Sequence, residues 1–236
     1  ARLANLDPTF VCNLLLEGAG ATLNNIFGKL KQKPKKSLNN DQLGHFLRIA
    51  KQRMALTVAF ADIAGIWSLE KVTDELSHFA CLALDIAAAH LIRRYAERGA
   101  FKLQNADNPL SNSGLIIIGM GKLGARELNY SSDIDLIILY DTNRINTLDP
   151  HLLQTNFVRL TRDLITLMHE RTPDGYVFRT DLRLRPDPGS TPIAMSVIAA
   201  ETYYESLGQN WERAAMIKAR ALAGDIEAGN KFLQHL

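Results

Sequence analysis

One stretch, residues 114–141 (GLIIIGMGKLGARELNYSSDIDLIILYD), constrains the fold of this 236-residue chain more than any other. The apolar run at residues 115–118 is short and β-branched enough for a buried strand. A glycine-punctuated turn, Gly119-Met120-Gly121-Lys122-Leu123-Gly124, follows it. Residues 125–130 are expected to form about two helical turns, and a second strand, Ile134–Tyr140, opens on the acidic pair Asp133 and Asp135. A strand places residues i and i+2 on one face, roughly 6.5 Å apart. The two carboxylates therefore point the same way, and they repel unless a cation lies between them.

The glycines allow two interpretations. Gly119, Gly121 and Gly124 after a strand match the dinucleotide fingerprint, with Asp141 near the place of the ribose-binding acid. The chain would then be an NAD-dependent oxidoreductase, but Asp133 and Asp135 would have no purpose and the crossover helix would be short. Alternatively the turn cradles a phosphate on backbone N–H groups at a helix N-terminus, with Lys122 adding positive charge. A Walker loop is excluded, because no Gly-Lys-Ser/Thr stands at the required spacing.

A third carboxylate favours the phosphate turn. Residues 175–186 (GYVFRTDLRLRP) alternate like a strand, with Val177, Arg179, Asp181, Arg183 and Arg185 on one face. Phe178, Leu182 and Leu184 lie on the other, which is expected to pack on the core. Should this strand neighbour Ile134–Tyr140, about 4.8 Å away, Asp181 joins Asp133 and Asp135. Three carboxylates on one side of a sheet can hold two Mg²⁺ ions together with substrate phosphates. The bland alternative is that Asp133 caps or turns the chain and Asp181 pairs with Arg179 or Arg183.

Three stretches, GMGKLGARELNYSSDIDLI, TDLRLRP and YYESLGQNWERAAMIKAR, together resemble the bacterial glutamine synthetase adenylyltransferase/deadenylase family (glutamate–ammonia-ligase adenylyltransferase), of the polymerase-β-like nucleotidyltransferase superfamily. Where the wider superfamily usually has Gly-Ser ahead of the acidic pair, this chain has Gly121-Lys122, so no role of that serine carries over. The resemblance implies an α+β fold, a small nucleotidyltransferase sheet flanked by an N-terminal helical region and C-terminal helices. It implies Mg²⁺, with Mn²⁺ as a substitute, and ADP or ATP as the nucleotide. Asp133, Asp135 and Asp181 are then the metal-binding and catalytic carboxylates. Gly121, Lys122 and Ser132 hold nucleotide phosphates, Arg183 and Arg185 a second anion, and Lys218 and Arg220 reach the nucleotide or a phosphate. Residues 203–220 are closer to the family's N-terminal half. That half removes AMP from a tyrosine of glutamine synthetase by phosphorolysis, giving ADP; the other half attaches AMP from ATP. The partners so implied are glutamine synthetase, a PII-type nitrogen regulatory protein and a second catalytic half of the same polypeptide, in the cytoplasm.

The rest of the chain frames this core. Residues 1–103 are expected to be a helical scaffold, with caps at Asp7, at Asn40 or Asp41, and at Ser68. The lysine-rich stretch around Pro34 is expected to be a solvated loop, with an acidic docking partner as the alternative. The catalytic core is assigned to residues 104–192, and residues 193–236 to a C-terminal helical segment packed on it. Net charge is +2, which provides no argument for nucleic acid. No apolar run is expected to approach the roughly 18 residues of a membrane span. Cys12 and Cys81 are read as buried reduced thiols, and the six histidines lack the spacing of a zinc site. The chain starts at Ala1 and holds one copy of the acidic motif, as expected of a fragment carrying one of two catalytic halves.

Overall fold

Capping chemistry sets the first three helices. The Asp7 carboxylate accepts from the Phe10 N–H at 3.2 Å and Pro8 takes the first turn, so α1 runs Pro8–Lys31. Gly18, with non-helical backbone angles (φ 81°, ψ 163°), kinks this span into two helices. Asn39 and Gln42 form a reciprocal capping box (2.8 and 3.0 Å) that starts α2, Asn40–Ile63, one residue earlier than the sequence suggested. Ser68 caps α3, Leu69–Glu97. The computed structural model describes residues 7–32, 38–147 and 149–236; Lys33, Pro34, Lys35 and Lys36 of the lysine-rich stretch lie outside the described residues.

By length and composition α3 could cross a membrane, but more than half of its apolar window is buried inside the protein. It is the core helix: Phe79, Ala83, Leu84, Ala87 and Ala88 are fully buried. Cys12 is exposed and Cys81 half-buried, so only the latter approaches the expected buried thiol.

The sheet is built on an antiparallel pair, β2 (Leu115–Gly119) and β3 (Ile134–Tyr140), with Leu115 opposite Tyr140 and Gly119 opposite Leu136. The short strand β1 (Phe101–Lys102) pairs with β4 (Asn146–Thr147) in a separate two-stranded sheet. The other edge of β3 is lined in parallel by two short strands, β5 (Thr180–Asp181) at its start and β6 (Met195–Ser196) at its end. Residues 175–186 are thus not the continuous strand that their alternation suggests. Only Thr180 and Asp181 pair, while Val177 and Phe178 are both buried, contrary to the two-faced pattern. Between β5 and β6 a proline-rich loop is held by Arg185, which donates to the carbonyls of Leu182 (2.9 Å), Pro188 (2.8 Å) and Thr191 (3.3 Å).

Both faces of the sheet are covered, which explains the unbroken apolar runs of β2 and β3. Leu115, Ile117, Ile134, Leu136 and Ile138 pack on the helical scaffold and on α5 (Leu153–His169) in one continuous core. Ile116, Ile118, Ile137 and Leu139 pack on the opposite side against α6 (Val197–Ser206) and α8 (Ile226–His235). Neither face of these strands is left open, and the acids lie where the cover ends. The C-terminal stretch is less helical than expected as well. After the short α7 (Asn210–Met216), residues Arg220–Gly224 form β7, which pairs antiparallel with β2. Likewise residues 125–130 are not helical; the helix after the glycine turn is the single turn α4, Gly121–Gly124.

Phe157 on α5 joins the layers. It is fully buried, stacks on Tyr140 at 4.7 Å and meets Phe101 at 5.1 Å. Phe157→Ala should lower the unfolding free energy by about 3–5 kcal/mol, read from urea denaturation at constant m-value.

Candidate active site

The register of β5 on β3 assembles the acids. Asp135 stands opposite Asp181 in a parallel pair whose strands lie about 4.8 Å apart. Asp133 sits just before β3, two residues back. The three carboxylates act on one another: burial, then the charges of Asp181 and Asp133, hold the Asp135 carboxyl above its ordinary range, and Arg183 offsets part of that.

Two arginines already answer this charge. Arg179 binds Asp133 through Nε, and its Nη2 donates to the Ser131 carbonyl at 2.7 Å. Its Nη1 donates to the Tyr176 hydroxyl at 3.4 Å. Arg183 grips Asp181 through Nε at 2.8 and 3.0 Å, and its own backbone N–H donates to Asp181 Oδ1 at 2.8 Å. Those contacts, the side-chain one foremost, hold the Asp181 carboxyl below its ordinary range. A carboxyl held below its ordinary range is a weaker base, so Asp181 suits a cation more than it suits proton abstraction.

The fit to a divalent ion therefore divides into chemistry and arrangement. All three donors are carboxylate oxygens, as a hard ion such as Mg²⁺ requires, and no hydrogen bond or ion pair engages the Asp135 carboxylate among the described residues. Yet no group of three or more acids, histidines or cysteines among the described residues is disposed to hold a metal as it stands. Arg183 occupies both oxygens of Asp181, and Arg179 one of the two of Asp133. The donor set fits, with Asp135 and one oxygen of Asp133 open; an ion that also takes Asp181 must displace the Arg183 guanidinium.

The glycine turn borders the cluster. The Met120 N–H donates to the Asp135 carbonyl at 2.9 Å, and Gly121 follows at φ 54°, a left-handed conformation that favours glycine. A Cβ at Gly121 would lie 3.2 Å from Asp135 Oδ2, close enough to press on that carboxylate. Gly124 has a different reason: a Cβ there would sit 1.8 Å from the Lys218 carbonyl, where the chain enters β7. Lys122 is exposed at the turn and Ser132 half-buried ahead of Asp133.

The remaining candidates are committed elsewhere. Lys218 pairs with Glu127 at 2.8 Å. Arg220 donates to the carbonyls of Gly124 (3.1 Å) and Leu123 (3.3 Å), closing the C-terminal end of α4. Arg185 holds its loop. As placed, none of these three is the free anion ligand expected. The dinucleotide interpretation fails on topology: β2 and β3 are antiparallel, with no crossover between them. Asp141 lies beyond the end of β2 opposite to the glycine turn and caps a local bend through the Asn143 N–H.

Sequence reasoning missed a flank of the site. A cavity of about 920 Å³, lined in part by Lys51, Gln52, Arg171, Asp174 and Tyr176, reaches the carboxylates only through Tyr176, which accepts from the Arg179 that binds Asp133. Tyr176 connects it to Arg179, and the Lys51 ammonium is held below its ordinary range by burial and then by Arg179. Lys51 and Tyr176 stand 125 positions apart, and no spacing rule could have joined them.

Comparison with known proteins yields one consistent result. A family model described as glutamate-ammonia ligase adenylyltransferase matches residues 4–235. A bifunctional glutamine synthetase adenylyltransferase/adenylyl-removing enzyme of Agrobacterium fabrum is 55% identical over 190 residues, covering 80% of this chain and 19% of that protein. The Rhizobium meliloti protein of the same name is 53% identical with the same coverage. That of Bartonella quintana is 44% identical over 98% of this chain and 24% of its own length. The chain thus spans between 19% and 24% of these relatives.

Because the folded chain raises the Asp135 pKa, ionising that group costs stability. The cost is absent below the unfolded carboxylate value and appears as pH rises through the folded one. Asp135→Asn should accordingly raise the urea midpoint of the metal-free chain at neutral pH, with the gain vanishing below about pH 4. A midpoint unchanged or lowered at neutral pH would contradict the crowding of like charge.

Proposed function

The chain belongs to the glutamate-ammonia ligase adenylyltransferase family, and from it we propose one catalytic centre of a bifunctional enzyme that adds AMP to glutamine synthetase and removes it. The observation that carries the proposal is the in-register pairing of Asp135 with Asp181 beside the glycine turn. Nucleotidyl transfer needs little covalent help from a protein. It needs concentrated charge, aligned attacking and leaving oxygens, and a cradle for phosphates.

Each requirement falls to particular residues. Asp133, Asp135 and Asp181 would hold divalent cations, Mg²⁺ or Mn²⁺, which when bound neutralise phosphate oxygens and lower the barrier to in-line displacement. Gly121 and the N–H groups that open α4 hold the nucleotide's phosphates, and exposed Lys122 adds a charge beside them. Ser132, half-buried ahead of Asp133, can donate its hydroxyl to the same anion. Tyr176, which accepts from Arg179, and Lys51 line a cavity between the helical scaffold and residues 171–176, where the flank of a protein substrate could rest.

The direction proposed is removal. Inorganic phosphate attacks the phosphorus of AMP-tyrosine, the bond from phosphorus to the tyrosyl oxygen breaks, and ADP leaves while the phenolate takes up a proton. The closeness of residues 203–220 to the N-terminal half of the family supports that direction. Glutamine synthetase is then the substrate, a PII-type protein the regulator, the rest of the polypeptide the opposing half, and the cytoplasm the place of action.

Incubating the chain with adenylylated glutamine synthetase, phosphate and Mg²⁺ should release ADP. Asp135→Asn should reduce the rate by about two orders of magnitude or more while keeping the fold. AMP incorporation from ATP into unmodified glutamine synthetase, without ADP release in the first assay, would assign the chain to the adenylylating half instead.

A further inference from the structure

Three carboxylates at one strand end need a counter-charge even when no cation is bound. Arg183 supplies it in an unusual way. Its side chain is 84% exposed, yet it folds back onto Asp181 with both carboxylate oxygens in reach of Nε. Its charge also acts on Asp135 and Asp133, so a single guanidinium serves the whole cluster. Arg179 differs, because the Ser131 carbonyl and the Tyr176 hydroxyl pin it in addition to Asp133. Arg183 has no such anchor among the described residues; every side-chain hydrogen bond it makes goes to Asp181.

We propose that Arg183 is an exchangeable counter-ion, which neutralises the Asp133, Asp135 and Asp181 cluster in the metal-free chain and yields it to an incoming divalent cation. Its freed guanidinium then pairs with the phosphate oxygens of the nucleotide. This deepens the function proposed above and rests on it. Exchange is favourable in both halves. An exposed monovalent pair is weak and easily lost to a doubly charged ion, and a guanidinium fork released beside the site matches phosphate geometry. Arg179 stays in place as a staple between the segment ahead of β3 and residues 176–179.

Calorimetric titration with Mn²⁺ alone, on the parent chain and on Arg183→Gln, tests the exchange. Removing the competitor should tighten Mn²⁺ binding about two- to fivefold, the scale of one exposed charge pair. In the presence of Mn²⁺ the same variant should bind ADP more weakly. Mn²⁺ affinity equal to or weaker than that of the parent overturns the counter-ion role, even where the parent releases ADP normally. Absence of Mn²⁺ binding by both chains overturns this inference and the proposed function together. Should the variant not fold, the Arg183 Nε–H resonance of the parent decides: it should shift on addition of Mg²⁺, and an unmoved resonance overturns the exchange.

Discussion

Like charge gathered at the start of β3 is the constraint to which the surrounding structure answers. Parallel pairing of Asp135 with Asp181 brings two carboxylates to adjacent strand ends, and Asp133 follows from the chain path. Burial makes the repulsion costlier than it would be in water. Arg179 and Arg183 are the response, one anchored by neighbours and one held by the acids alone. Gly121 belongs to the same account, since any side chain there would press on Asp135 Oδ2. A chain selected for stability alone would have no reason to keep this arrangement. It is sensible where a polyanion and its cations must be received.

Holding such a cluster requires a backbone that does not give. β3 provides it by being central: β2 pairs along one edge, β5 and β6 share the other, and apolar layers cover both faces. The helical scaffold is thus more than a support. Leu115, Ile117 and Ile138 share a core with Phe79, Leu84 and Leu91 of α3, so the strand that carries Asp135 belongs to one continuous apolar core with the longest described helix. The acids occupy the one part of β3 where this cover runs out, which leaves Asp135 half-buried rather than sealed.

Local chemistry was legible where it acts within a few residues. Asp7 and Ser68 cap their helices through side-chain oxygens, as their types dictate. β2 and β3 stand where short β-branched runs place them. Alternation misled at residues 175–186, because the period of two there reflects residues serving a loop and an ion pair, not a ladder. It misled in the opposite sense at Arg220–Gly224, whose small residues lack a strand signature and pair with β2 only because Gly119 and Gly124 let them approach.

Among the charged residues, type and proximity in sequence determined which acids could act together: Asp133 and Asp135 are adjacent whatever the fold, and a glycine turn precedes them. The motifs of residues 119–137, 180–186 and 203–220 determined the family. Tertiary structure alone decided the partner of each charge. It placed Asp181 in register with Asp135, gave Asp133 to Arg179, and spent Arg185, Lys218 and Arg220 on carbonyls and on Glu127. The reason is physical. A strand register, a helix end or a loop carbonyl is created only by packing, and a guanidinium binds whichever acceptor the folded backbone brings within about 3 Å of it.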